Sequence, residues 1–140
     1  IEFQNLIAAG ELLEWAFVYG NYYGVPKKQV HEALSNGNHV IIRVDVQGAK
    51  RIRELVPEAL LLFIVPPSID VLQKHLELRG VNSESEMNKR LAAAAEEIGQ
   101  SDVFDYVITN EEDHLDETVT KVLEIIEYES SKMPPGKTII

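Results

Sequence analysis

The chain has 140 residues, 45% of them apolar, and carries 13 basic against 23 acidic side chains for a formal net charge of −10. That length suits one domain with a single core, burying roughly two thirds of its unfolded surface. The acidic balance argues against a general affinity for nucleic-acid backbones but leaves room for a mononucleotide held by a few placed cations, and the lack of any cysteine excludes disulfides and Cys-ligated zinc.

The opening Ile1-Glu2-Phe3-Gln4 has neither the basic region nor the cleavage site of a signal peptide. It lacks an initiator Met and reads as the inside of a helix, so the sequence is expected to begin partway through a longer one. Phe3, Leu6 and Ile7 give residues 2–9 helical spacing, and Gly10 stops the run. Leu12 to Tyr19 is aromatic and β-branched, with Gly20-Asn21 as a turn signal, which predicts a short antiparallel pair. Pro26 suits a first helical position, and that helix runs to about Ser35 before Asn36-Gly37.

His39 to Val44 reads as a strand ending at Asp45. Gln47-Gly48 opens a helix through Leu55, closed before Pro57. Ala59 to Val65 is nearly all apolar, as in a strand buried on both faces; the apolar run to Pro67 is far too short to cross a bilayer. Pro66-Pro67-Ser68 breaks the strand, and a helix runs from Ile69 to Arg79 with Gly80 as its cap. Ser83 and Glu86 have capping-box spacing for a helix to about Gly99. Tyr106 to Thr109 reads as a strand. Asp113 to about Ser130 reads as a helix with Leu115, Val119, Leu123 and Ile126 on its apolar face. The tail Pro134-Pro135-Gly136 reads as disordered. The alternation from residue 39 onward predicts an α/β fold, a parallel sheet flanked by helices, with the first region as a small antiparallel appendage and the helices around Gly80 as a lid. The expected division is 1–36 recognition region, 37–78 and 99–131 core, 79–98 lid and 132–140 tail.

Three groups of residues could carry chemistry. Asp45 closes an apolar strand, the place where phosphate-binding α/β proteins put a carboxylate near Mg²⁺; the same residue would serve as a helix cap. Glu14 lies among Trp15, Phe17, Tyr19, Tyr22 and Tyr23. A partly enclosed carboxylate can accept both hydrogens of guanine's N1–H and N2–H₂ edge, whereas adenine leaves it unpaired. A solvated Glu on an aromatic hairpin is the alternative. Arg79 and Arg90 lie on two helices meeting near Gly80, where arginines could stabilise a transferring phosphoryl group or simply face solvent. His31, His39, His75 and His114 have no metal-ligand spacing. The acids at 111–113 and 116–117 crowd a helix N-terminus, where the dipole favours them.

Taken in order, Glu11-Leu-Leu-Glu14-Trp-Ala, Gly20-Asn-Tyr-Tyr23-Gly24-Val-Pro, Val44-Asp45-Val-Gln47-Gly48-Ala, Pro66-Pro67-Ser68, Arg79-Gly80, Asn88-Lys-Arg90-Leu, Phe104-Asp-Tyr106-Val and Asn110 resemble the guanylate kinases over roughly residues 1–128. The resemblance implies a P-loop kinase fold, GMP and MgATP as substrates, and phosphoryl transfer between them. It implies that Glu14 reads guanine, Tyr23 contacts the GMP phosphate and Asp45 faces the reacting phosphates, through water to Mg²⁺. Arg79 and Arg90 would close over those phosphates, and Asn110 would lie on the ATP side. It further implies a cytoplasmic protein, or one of a plastid or mitochondrion, acting as monomer or homodimer.

The family's Gly-rich phosphate loop, G-x-x-x-x-G-K-[ST], does not occur in the sequence. The first strand and that loop are therefore missing from the expected fold, apolar surface should be exposed, and the chain alone should not turn over. Val25, His75 and Arg43 also depart from the family's usual hydroxyl, lid arginine and second acid. A non-catalytic, protein-binding guanylate-kinase-like module is the alternative reading.

Overall fold

A computed structural model describes residues 2–18, 21–81 and 83–132. The chain divides after Leu60 into two compact units.

The first unit contains α1 (Glu2–Ala8), β1 (Leu12–Val18), β2 (Asn21–Pro26), α2 (Lys27–Ser35) and α3 (Val46–Leu55). Gly10, at φ +67°, turns the chain out of α1. The strands β1 and β2 pair antiparallel, with Glu14 opposite Val25 and Ala16 opposite Tyr23. Directly opposed residues share a face, so Glu14, Ala16, Tyr23 and Val25 lie on one side of the pair. Trp15, Phe17 and Tyr22 lie on the other, where Tyr22 gathers Phe3 at 5.2 Å, Phe17 at 4.7 Å and Trp15 at 6.4 Å between ring centroids. Gly24 lets α1 close on this side, because a Cβ there would stand 2.8 Å from Phe3 Cζ. Pro26 ends β2 and caps α2 rather than entering it. Leu12, Val30, Leu34, Val46, Ala49, Ile52, Val56 and Ala59 are buried.

One expected strand does not form. Residues 38–45 belong to no helix or strand. Val40, Ile42 and Val44 are half-buried while His39, Ile41 and Arg43 are exposed, so the period of two is present. A strand also needs a ladder partner, and among the described residues this segment has none.

The second unit contains β3 (Leu62–Val65), α4 (Ile69–Leu78), α5 (Glu84–Ile98), a 3₁₀ turn (Ser101–Val103), β4 (Tyr106–Thr109) and α6 (Leu115–Ser131). β3 and β4 pair in parallel from Leu62–Tyr106 to Val65–Thr109. β3 is shorter than expected and is not buried on both faces, since Ile64 is 53% exposed; β4 is its one partner among the described residues. Leu76, Val81 and Met87 join α4 to α5, with Leu72 and Leu91 against them. Ser68 caps α4 by accepting the Val71 N–H at 3.2 Å.

The capping box at Ser83 is not made. Ser83 is the N-cap of α5 but its side chain accepts no hydrogen bond, and the Glu86 carboxylate pairs instead with Arg90 at 2.8 Å. The face of α6 is also corrected: Leu115, Val119 and Leu123 are exposed. Ile126 alone of the expected four is half-buried; Thr118 is buried, and Val122, Ile125 and Glu129 are half-buried. Two of these inward residues are polar with partners on or beside β4: Thr118 Oγ1 donates to Asn110 Oδ1 at 2.8 Å, and Tyr106 Oη donates to Glu129 at 2.5 Å. The acids before α6 do not cap it; His114 is the N-cap, and Asp113 takes a left-handed φ of +60° in the turn before it. The turn position of Gly20 and the tail at 134–136 lie outside the described residues.

Candidate functional site

Glu14 is the buried acid of the first unit, with a side chain 8% exposed. Its place on β1 aims it at the first turn of α3. Gly48 makes that approach possible: a Cβ there would stand 2.8 Å from Val44 Cβ and 3.3 Å from the Glu14 carboxyl carbon. The helix backbone therefore comes within contact of the carboxylate, and any side chain at 48 would push them apart.

Asp45 meets the same glycine from the other direction. It is the N-cap of α3, and its Oδ1 accepts the Gly48 N–H at 2.7 Å. The cap reading of Asp45 is thus realised, and the carboxylate is itself exposed. One oxygen is committed to the helix, which fixes where the other sits. Two carboxylates, 31 positions apart in sequence by subtraction of their numbers, converge on Gly48. Tyr23 is 58% exposed and shares the Glu14 face of the strand pair, two places from Val25, the residue opposite Glu14. The structure therefore brings Glu14 and Asp45 together at Gly48 and places Tyr23 on the Glu14 face of the strand pair.

The charge of Glu14 is answered by Arg51, whose Nη2 donates to Glu14 Oε1. The same nitrogen lies 3.4 Å from the Trp15 carbonyl oxygen. Sequence reasoning missed this partner. The helix 46–55 carries Lys50, Arg51 and Arg53, and nothing in their spacing says which one reaches back to β1. Helical geometry separates them: Arg53 goes instead to the Pro57 and Ala59 carbonyls at 2.8 and 2.9 Å. The close-approach role of Gly48 was equally invisible, although the Gln47-Gly48 pair marked the right turn.

The remaining expected site residues belong to the second unit. Arg79 is the C-cap of α4 and is exposed. Gly80, at φ +86°, follows it in the left-handed conformation that ends the helix. Arg90 is half-buried on α5 and pairs with Glu86 one turn earlier. Asn110 follows β4, where its N–H donates to the Val65 carbonyl at 2.9 Å while its side-chain oxygen takes the Thr118 hydroxyl. His75 faces Glu112 at 3.9 Å. Among the described residues no group of three metal-ligating side chains forms, and no helix is long and apolar enough to cross a membrane.

The electrostatics at the end of this unit are local. Glu117 accepts from His114 at 2.7 Å and raises the imidazole pKa above its usual value of 6.5. Lys132, and then Tyr106, hold the Glu129 carboxyl below its usual range.

A family profile described as guanylate kinase matches residues 1–129. The guanylate kinase of Carboxydothermus hydrogenoformans is 47% identical over 111 residues, which is 79% of this chain and 54% of that protein. The guanylate kinase of Prochlorococcus marinus subsp. pastoris is 44% identical over 124 residues, covering 89% of this chain and 66% of its own. A crystal structure of guanylate kinase from Anaplasma phagocytophilum superposes with a TM-score of 0.74 at 31% identity, over 99% of this chain and 65% of that one. The chain thus spans about 54 to 66% of the length of these relatives. With the profile running through nearly the whole sequence, the chain belongs to the guanylate kinase family.

Proposed function

We propose that the protein carrying this chain transfers the γ-phosphoryl group of MgATP to GMP, giving ADP and GDP. In this reading Glu14 accepts the N1–H and N2–H₂ hydrogens of guanine. An adenine presents no such donor pair and forfeits those bonds. Tyr23, on the same face, donates its hydroxyl to the GMP phosphate. Asp45, anchored through one oxygen to Gly48, receives a water of the Mg²⁺ that enters with ATP. Arg79 and Arg90 stabilise charge on the transferring group, and Asn110 lines the ATP side. Residues 1–36 then form the GMP region, 79–98 the lid, and the rest of 37–131 the core. The protein acts in the cytoplasm, a plastid or a mitochondrion, as monomer or homodimer.

The observation that carries the reading is the meeting of Glu14 and Asp45 at Gly48 in a chain of this family. One carboxylate is enclosed enough to reward a matching base. The other is exposed at the start of a helix, where phosphates and their metal gather. The chain contains no Gly-x-x-x-x-Gly-Lys loop to anchor the donor's triphosphate, so residues 1–140 by themselves do not turn over. The test is GDP formation from GMP and MgATP, measured for the 140-residue chain and for a form extended upstream. Turnover by the extended form alone is expected. Protein-dependent GDP production by residues 1–140, or none by the extended form, would refute the proposal. Glu14→Ala should abolish the preference for GMP over AMP in the extended form; unchanged selectivity removes Glu14 from the site.

A further inference from the structure

We infer that Arg51 acts as an internal stand-in for the base, occupying Glu14 until guanine displaces it, so that position 51 tunes affinity and base selectivity. The inference rests on the reading of Glu14 as the guanine acceptor. Its starting point is a conflict. A carboxylate that takes two hydrogens from a ligand edge must present both oxygens, yet the Glu14 side chain is only 8% exposed. Something that covers it has to move.

The covers differ in how easily they yield. Gly48 covers it with main chain, held inside α3 by helical hydrogen bonds and by the Asp45 cap. Arg51 covers it with the end of a long side chain that is 45% exposed. Its hold on β1 is through one nitrogen, Nη2, given to Glu14 and weakly to the Trp15 carbonyl. Swinging the guanidinium into water costs one charged hydrogen bond and leaves the cation solvated. Arg51 is therefore the cover that moves.

Its chemistry matches the ligand it precedes. A guanidinium presents N–H donors from a planar N–C–N fragment, as the N1–C2–N2 edge of guanine does. Binding the base exchanges one such donor set for another. Two consequences follow. The Glu14 bonds contribute less to GMP affinity than they would from an empty carboxylate. A wrong base also leaves the Glu14–Arg51 pair intact, so it escapes the penalty of stranding a buried charge. Arg51 thus lowers both GMP affinity and the margin over AMP.

The test uses Trp15, the single tryptophan of the chain and the neighbour of Glu14, as a fluorescence reporter for titration with GMP and with AMP. Arg51→Met keeps much of the stem and removes the donors. It should bind GMP about three- to thirtyfold more tightly than the parent and bind AMP more weakly, because the wrong base now strands the Glu14 charge. Arg51→Lys, which still pairs with Glu14, should stay near the parent. In a Glu14→Gln background Arg51→Met should have no effect on GMP. Weaker or unchanged GMP binding by Arg51→Met overturns the inference and makes Arg51 a brace or a bystander. Glu14→Gln binding GMP like the parent, or no GMP response from any form, overturns the guanine reading itself. Should Arg51→Met fail to fold, the parent chain decides: the Arg51 guanidinium NMR signal should become fast-exchanging on saturation with GMP and not with AMP. A signal that stays protected under GMP contradicts the displacement.

Discussion

The two units hold their candidate residues in opposite ways. In the first, Glu14 and Asp45 are fixed by main chain: one packs against Gly48, the other caps the helix through the same residue. In the second, Arg79 ends a helix in solvent, and Arg90 is paired with a neighbour on its own helix. Base recognition rewards a preformed acceptor, because each misaligned hydrogen bond is lost selectivity. Charge stabilisation of a moving phosphoryl group rewards cations that can arrive late. The comparison therefore separates residues whose loss damages the fold from residues whose loss damages only chemistry.

The sharpest way to break that comparison is to remove the arginines. Arg79→Ala or Arg90→Ala in the extended protein should lower kcat about 100- to 1000-fold. The melting temperature should barely move, since exposed or half-exposed charges contribute little to stability. A large drop in melting temperature would show that these residues are structural. The converse case is Gly48→Ala, which adds a methyl group 2.8 Å from Val44 Cβ. It should cost about 1–3 kcal/mol in denaturant unfolding and weaken GMP binding together. A neutral result would mean that α3 does not press on Glu14.

Asp45 belongs to both categories, and two substitutions divide its roles. Asp45→Ala should lose about 1 kcal/mol of stability with the α3 cap, as well as turnover. Asp45→Asn should keep the cap and lose turnover alone. Equal stability loss in both would remove the cap from the account. The smallest effect expected is at His114. Proton NMR should show its imidazole titrating above the usual histidine value, and Glu117→Gln should bring it down. Because the folded pKa is raised, the protonated His114–Glu117 pair adds stability below the unfolded value, and that increment is lost as pH rises through the folded one. A normal titration in the parent chain would contradict the pairing.

Local signals in the sequence were read well where local chemistry decides the outcome. The antiparallel pair β1–β2, the Ser68 and Gly80 ends of α4, and the bounds of β4 all follow from local residue types and periodicity. Two of the departures share one cause, a partner distant in sequence. Residues 39–44 have a strand's alternation but no ladder partner among the described residues. The inward face of α6 includes Thr118 and Glu129, which hydropathy assigns to solvent and which β4 and its flank satisfy with Asn110 and Tyr106. At Ser83 the capping box lost Glu86 to Arg90, an equally local competitor. For the candidate site, the expectation of Glu14, Tyr23 and Asp45 comes from residue type and family resemblance. Arg51 and the packing role of Gly48 were not, because neither the reach of a side chain across 37 positions nor a missing Cβ leaves a periodic trace.

The most direct measurement is a crystal structure of the extended protein with GMP bound. The account predicts guanine N1 and N2 within hydrogen-bond distance of the Glu14 carboxylate, with the Arg51 guanidinium swung away from it. A base bound elsewhere, with the Glu14–Arg51 pair undisturbed, would contradict it.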